Sequence, residues 1–298
     1  MTIGQIVALL LLVDNAYQPI AIFNVDYVAY KLGKIAFARY TEFLDSKEDT
    51  RLSQGDSVPM LRGDISFSKI GFCYDEREIL NDFNLSIKNG KTIAFVGESG
   101  SGKSTAVKLL VGLLQPDKGN VSVDDIDLST INLNSYYEHI AYLPQESAVF
   151  NGTLRENLIF DEAVDDDTLI NALANVGLDG LFSKLDKGLD TPIGERGISL
   201  SGGERQQLAL ARLWFSKARI VILDEATSAI DNLTEEIVMK NVMAQLKGKT
   251  VIAVAHRLDS IKAFDKIILF HDGQIVEQGQ FADLIDKRQS FYDLYNRM

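Results

Sequence analysis

The stretch Gly97-Glu98-Ser99-Gly100-Ser101-Gly102-Lys103-Ser104 follows a short apolar run, Ile93 to Val96, and opens a segment with helical pattern from Lys103 to Leu113. Glycines allow a backbone to curl until consecutive N–H groups converge on phosphate oxygens, and the N-terminus of a following helix adds its positive end. In this pattern Lys103 offers a cation and the Ser104 hydroxyl offers a ligand to Mg²⁺. The strand in front and the helix behind favour phosphate binding over a bare glycine-rich turn.

A second constellation suits the same chemistry. Ile220-Val221-Ile222-Leu223-Asp224-Glu225 reads as a buried strand ending in two carboxylates, so that Asp224 can hold the Mg²⁺ shell and Glu225 can polarise an attacking water. Just upstream, Ser201-Gly202-Gly203 stands at the start of a helical pattern running from Gly202 to Trp214, presenting N–H groups and a hydroxyl to an anion.

Leu200-Ser201-Gly202-Gly203-Glu204 matches the signature motif of the ABC transporters, and on this motif and the two constellations the sequence resembles the ATP-binding domain of that family. The resemblance implies ATP and Mg²⁺ as ligands, with Tyr74 stacking on adenine and Gly97, Glu98, Ser99, Gly100, Ser101, Gly102, Lys103, Ser104 and Thr105 around the phosphates. From the opposite subunit, Ser201, Gly202, Gly203 and Glu204 would meet the γ-phosphate, and Asp231, in the D-loop Ser228-Ala229-Ile230-Asp231, would cross the dimer. Gln145, within Leu143-Pro144-Gln145-Glu146, resembles the Q-loop glutamine that reaches metal and water, and His256 resembles the switch histidine. Implied metal ligands are thus Ser104, Gln145 and Asp224; implied catalytic residues are Glu225, His256, Lys103 and Gln145.

The fold so implied is α/β, a P-loop NTPase of the ABC type with a mixed central sheet, an antiparallel β subdomain and a helical subdomain, preceded by one long transmembrane-type helix. The division expected is residues 1–44 for the last membrane helix of an exporter and its cytoplasmic extension, 45–61 for a linker and 62–298 for the nucleotide-binding domain. Thr191-Pro192-Ile193-Gly194-Glu195-Arg196-Gly197 resembles the exporter X-loop, which points to export of an unknown substrate by a homodimer or heterodimer at the cell membrane, the ATPase domain being cytoplasmic. Five of the six membrane helices of an exporter subunit are not in this sequence, so transport by this chain alone is not expected. One departure from the family pattern is Gln207, where relatives usually carry arginine.

The elements that must position these residues are legible in outline. Ile3 to Val13 is almost wholly apolar, but Asp14, Asn15, Gln18, Pro19, Asn24 and Asp26 follow, as in a helix that turns one side to neighbouring helices. A cleavable signal peptide would need a basic start, which Met1 to Gln5 lacks, and Lys31, Lys34 and Arg39 favour a cytoplasmic exit. Ile65 and Phe67, then Ile70 and Phe72, suggest strands of a hairpin-rich sheet; Ile93 to Val96, Ile220 to Leu223, Thr250 to Ala255 and Lys266 to Phe270 suggest a second sheet. Asp272-Gly273 provides a turn before a strand around Ile275, Glu235 to Leu246 provides a helix, and Asp165 to Asp167 caps the helix entering Leu169.

Composition narrows the field further. In 298 residues the apolar fraction of 46% is ample for a core, and the net charge of −12 argues against a nucleic-acid partner. Two other readings stand beside export: a truncated or regulatory ABC fragment that binds ATP without transporting, and a soluble ABC ATPase acting on nucleic acid or ribosomes, which would show coiled-coil insertions or tandem ATPase domains and would leave the apolar Ile3 to Val13 stretch without a role. Cys73, the sole cysteine, excludes an intrachain disulfide and is expected on a half-buried strand in a reducing compartment.

Overall fold

A computed structural model describes residues 2–45, 49–58, 60–159, 164–194, 197–255 and 257–297. The chain divides into two units, Met1–Thr50 and Arg51–Met298. The first is one helix, α1 (Ile3–Asp45), with Pro19 inside it and no buried residue. At 1.5 Å per residue its 43 residues span about 65 Å, roughly twice the ~30 Å hydrocarbon core of a bilayer. Leu9 to Val13, Ile20, Ile22 and Phe23 are among its exposed apolar side chains, and the helix is long and apolar enough to cross a membrane.

Among the described residues the second unit holds twelve strands: β1 (Ile65–Tyr74), β2 (Arg77–Ile87), β3 (Thr92–Val96), β4 (Lys118–Val123), β5 (Ile126–Asp127), β6 (Ile140–Leu143), β7 (Gly152–Thr153), β8 (Pro192–Ile193), β9 (Ile220–Asp224), β10 (Thr250–Val254), β11 (Lys266–His271) and β12 (Gln274–Gly279). Its helices are α2 (Lys103–Val111), α3 (Leu133–Tyr137), α4 (Leu154–Leu158), α5 (Asp166–Asn175), α6 (Asp179–Phe182), α7 (Gly202–Ala211), α8 (Asn232–Gln245), α9 (Phe281–Lys287) and α10 (Ser290–Arg297).

The central sheet runs β12-β11-β3-β10-β9-β6, parallel except for the antiparallel edge strand β12. An antiparallel sheet, β2-β1-β4-β5, packs over it, and β7 pairs with β8. The central strands read as unbroken apolar runs because both faces are covered. Ile93 and Phe95 of β3, Ile220 and Ile222 of β9, and Ile252 and Val254 of β10 join one cluster with α2 and the antiparallel sheet. The alternate residues, Ala94 and Val96, Val221 and Leu223, Val251 and Ala253, join a second cluster with α5, α7 and α8.

Several expected boundaries move for local reasons. The helix after the phosphate loop ends at Val111 because Gly112 adopts a left-handed cap whose N–H bonds to Leu109 and Lys108 carbonyls. The helix from Gly202 gives way at Arg212 to a 3₁₀ turn, Arg212–Trp214. The helix expected from Glu235 begins at Asn232, where the Asp231 carboxylate accepts from Thr234 N–H. The two expected stretches around Phe67 and Phe72 form a single strand, β1, with bulges against β2. Cys73 lies, as expected, on a half-buried strand; it is on the exposed side of β1 next to buried Phe72 and donates its N–H to Asp117 at 2.7 Å. Within the segment expected as linker, Asp56 N–H donates to Thr130 O, Asn132 N–H donates to Asp56 O, and Val58 and Leu61 are buried in the core, so Asp56, Val58 and Leu61 belong to the folded unit.

Candidate nucleotide site

Parallel strands end at one edge of a sheet, and in open α/β sheets ligands bind in the crevice outside those carboxyl ends. Here β3 sits between β11 and β10, with β9 and then β6 beyond. The glycine loop therefore leaves the same edge as the Asp224-Glu225 pair and the loop after β6 that carries Gln145. His256 lies outside the described residues, as do Glu195 and Arg196 of the expected X-loop.

The loop 97–102 is shaped by close approach. Gly97 has φ 141°, and a Cβ there would lie 2.3 Å from Phe270 O; Gly102, at φ 103°, would set one 2.8 Å from a Leu80 methyl. Ser101 O accepts from Gly273 N–H at 3.1 Å, so the β11–β12 turn braces the loop from behind. Lys103 is 5% exposed, and its Nζ donates to Gly97 O and Glu98 O, both at 2.8 Å. Burial holds this ammonium below the usual lysine range, while Glu225 and Asp224 oppose that shift. Ser101 and Thr105 are buried, Ser104 is half-buried, and Glu98, Ser99 and Gly100 are exposed.

Asp224 closes β9 and is buried, with its Oδ2 accepting from the Tyr142 hydroxyl at 3.3 Å. Burial raises its pKa; the Tyr142 bond lowers it, Glu225 raises it, and Lys108 and Lys103 lower it. Tyr142 in turn is pushed up to about 12 by burial and the adjoining carboxylate. A buried carboxylate next in the chain to a second acid offers the hard oxygen donors that a divalent cation such as Mg²⁺ takes.

Glu225 follows in a left-handed conformation, φ 53°, with its N–H bonded to Val254 O at 3.2 Å. That geometry is uncommon for glutamate and is held by the strand beside it. It turns the side chain so that Gln145 Nε2 donates to Glu225 Oε2 at 2.7 Å. Glu225 also lines a cavity of about 210 Å³, together with Glu235 and Arg257, which form an ion pair.

The signature residues lie at the start of α7. Ser201 and Glu204 form a reciprocal cap: Ser201 Oγ accepts from Glu204 N–H at 3.3 Å, and Glu204 Oε2 accepts from Ser201 N–H at 2.7 Å. Gly203 passes the D-loop so closely that a Cβ would lie 2.9 Å from Ala229 O. Asp231, besides capping α8, is exposed. Tyr74 ends β1 with 42% of its surface open and its ring edge-on to Phe72 at 4.9 Å. Thus Lys103, Asp224, Glu225 and Gln145 gather at one edge, whereas Ser201 and Asp231 are exposed and Gly202, Gly203 and Glu204 half-buried at the helix starts they occupy.

Sequence reasoning missed Tyr142 and Gln206. Tyr142 gives no signal beyond its place on an apolar strand, and Gln206 none beyond membership of the signature helix.

The ABC transporter family model matches residues 80–228, from β2 through the D-loop serine. An uncharacterized ABC transporter ATP-binding protein, YwjA of Bacillus subtilis (strain 168), is 37% identical over 286 residues, which is 95% of this chain and 50% of that protein. The exotoxin translocation ATP-binding protein PaxB of Pasteurella aerogenes is 36% identical over 302 residues, covering 100% of this chain and 42% of PaxB. Among solved structures, an ATP-bound bacterial Atm1-family ABC exporter superposes with a TM-score of 0.78 at 30% identity, over 90% of this chain and 47% of that one. The chain spans about half the length of the curated relatives it matches. With the phosphate loop, the paired acids and the signature on one matching fold, the chain belongs to the ABC transporter family and carries that family's ATPase domain.

Proposed function

We propose that this chain is the ATP-hydrolysing part of an exporter subunit, working as a homodimer or heterodimer, with α1 in the cell membrane and the 62–298 domain in the cytoplasm. The observation that carries this reading is the gathering of Lys103, Asp224, Glu225 and Gln145 at one sheet edge, in a chain that also has a helix able to span a bilayer. The names of relatives such as PaxB support export, and the substrate class stays open.

Tyr74 stacks on the adenine, the amides of Gly97 to Thr105 receive the phosphates, and Lys103 pairs with their charge. Ser104, Asp224 and Gln145 would hold Mg²⁺, which would supply positive charge to offset that of the phosphates. Glu225, poised by Gln145, accepts hydrogen bonds from the attacking water and aligns it with the γ-phosphate. His256, by resemblance to the switch histidine, would contact that phosphate, and Ser201 to Glu204 with Asp231 would close on it from the partner. Most of the acceleration then comes from positioning and charge stabilisation.

The test is Glu225→Gln. It should bind MgATP as wild type does and hydrolyse it slower by about 10²-fold or more. Undiminished turnover would remove Glu225 from the role and with it this account of the site.

A further inference from the structure

One side chain joins segments that the proposed mechanism treats separately. Gln206, in the second turn of α7, is 4% exposed. Its Nε2 donates towards Gln145 O at 3.3 Å, Glu225 O at 3.3 Å and Ser228 Oγ at 3.0 Å, and its Oε1 accepts from Ala229 N–H at 2.8 Å. A glutamine amide has two N–H donors and an acceptor oxygen, so the whole group is engaged. The same amide holds the backbone of both members of the Gln145–Glu225 hydrogen bond and two consecutive residues of the D-loop.

We propose that Gln206 is a positioning residue that locks the backbones of Gln145, Glu225 and Ala229 and the side chain of Ser228 to the signature helix, so that a push on one helix face resets the catalytic pair. The inference rests on the proposed function. In that arrangement the exposed N-terminus of α7 and the D-loop meet the partner's nucleotide, while Gln145 and Glu225 meet the subunit's own. The Gln206 amide is the one side chain bonded to all three loop segments among the described hydrogen bonds, and a buried bonded network of this kind moves as a unit. Hydrolysis at one site thereby senses closure at the other.

The experiment uses the full chain in lipid, comparing wild type with Gln206→Glu. The variant keeps shape and the acceptor for Ala229 N–H, but faces the carbonyls of Gln145 and Glu225 with carboxylate oxygens. Expected are a kcat lower by about 10- to 100-fold, an ATP affinity within about threefold of wild type, and a rate that rises less steeply with ATP concentration. Faster amide exchange at Ser228 and Ala229 should accompany these changes. If Gln206→Glu fails to fold, Gln206→Asn retains the amide but draws it back by one methylene, and the same pattern is expected. A folded variant with wild-type kcat and steepness, or one whose ATP affinity falls as far as its kcat, overturns the proposal. Wild-type chain that binds no ATP overturns the functional reading as well, which separates the two failures.

Discussion

Lys103 and Asp224 both bear the cost of burial, in opposite senses. The lysine stays cationic against desolvation with two loop carbonyls accepting from it at 2.8 Å, and Lys103→Ala should weaken ATP binding by tenfold or more, about 1.4 kcal/mol, measured by titration with a fluorescent nucleotide. For Asp224 the sign runs the other way. Its folded pKa is raised, so the protonated form is the one the fold favours, and its contribution to stability is full below the unfolded value near 3.8 and lost as pH rises through the folded pKa. Asp224→Asn should therefore raise the apo melting temperature at pH 7, by about 2–4 °C for each kcal/mol of ionisation cost removed. The gain should vanish near the unfolded pKa, while Mg²⁺-dependent binding is lost. Differential scanning calorimetry at several pH values, with and without Mg²⁺, reads both.

At the scale of elements, what could be read in advance was whatever rests on local rules. Gly97 to Ser104 was legible because only glycine tolerates φ 141° and 103° beside Phe270 and Leu80, and Asp165 was legible because a carboxylate at a helix start accepts from Thr168 N–H. Contacts across the sheet were not legible: nothing local tells Tyr142 that Asp224 lies on the adjacent strand, or Gln206 that three loops converge on it. Asp56 looked like linker for the same reason, since its partners, Thr130 and Asn132, are some 70 residues away in sequence. The Ser201–Glu204 cap is a local device with a local effect. Ser201→Ala should cost about 1 kcal/mol and lower the apo melting temperature by about 2–4 °C, whereas Ser201→Asp should nearly preserve it.

At the scale of the molecule, the two units differ in what they bury. The Arg51–Met298 unit buries its own two clusters, while the apolar side chains of α1 are exposed along its length. Removal of residues 1–50 should leave a folded, ATP-binding fragment that no longer floats with liposomes, whereas the longer chain does; flotation on a density gradient decides it. Within α1, Pro19 has no N–H to give the Asn15 carbonyl, so the hydrogen-bond ladder lacks a rung there. A rod of that length transmits twist and thrust as well as its softest section allows. Mechanically, then, α1 is two stiff segments in series with a compliant joint, and bending load concentrates around Pro19.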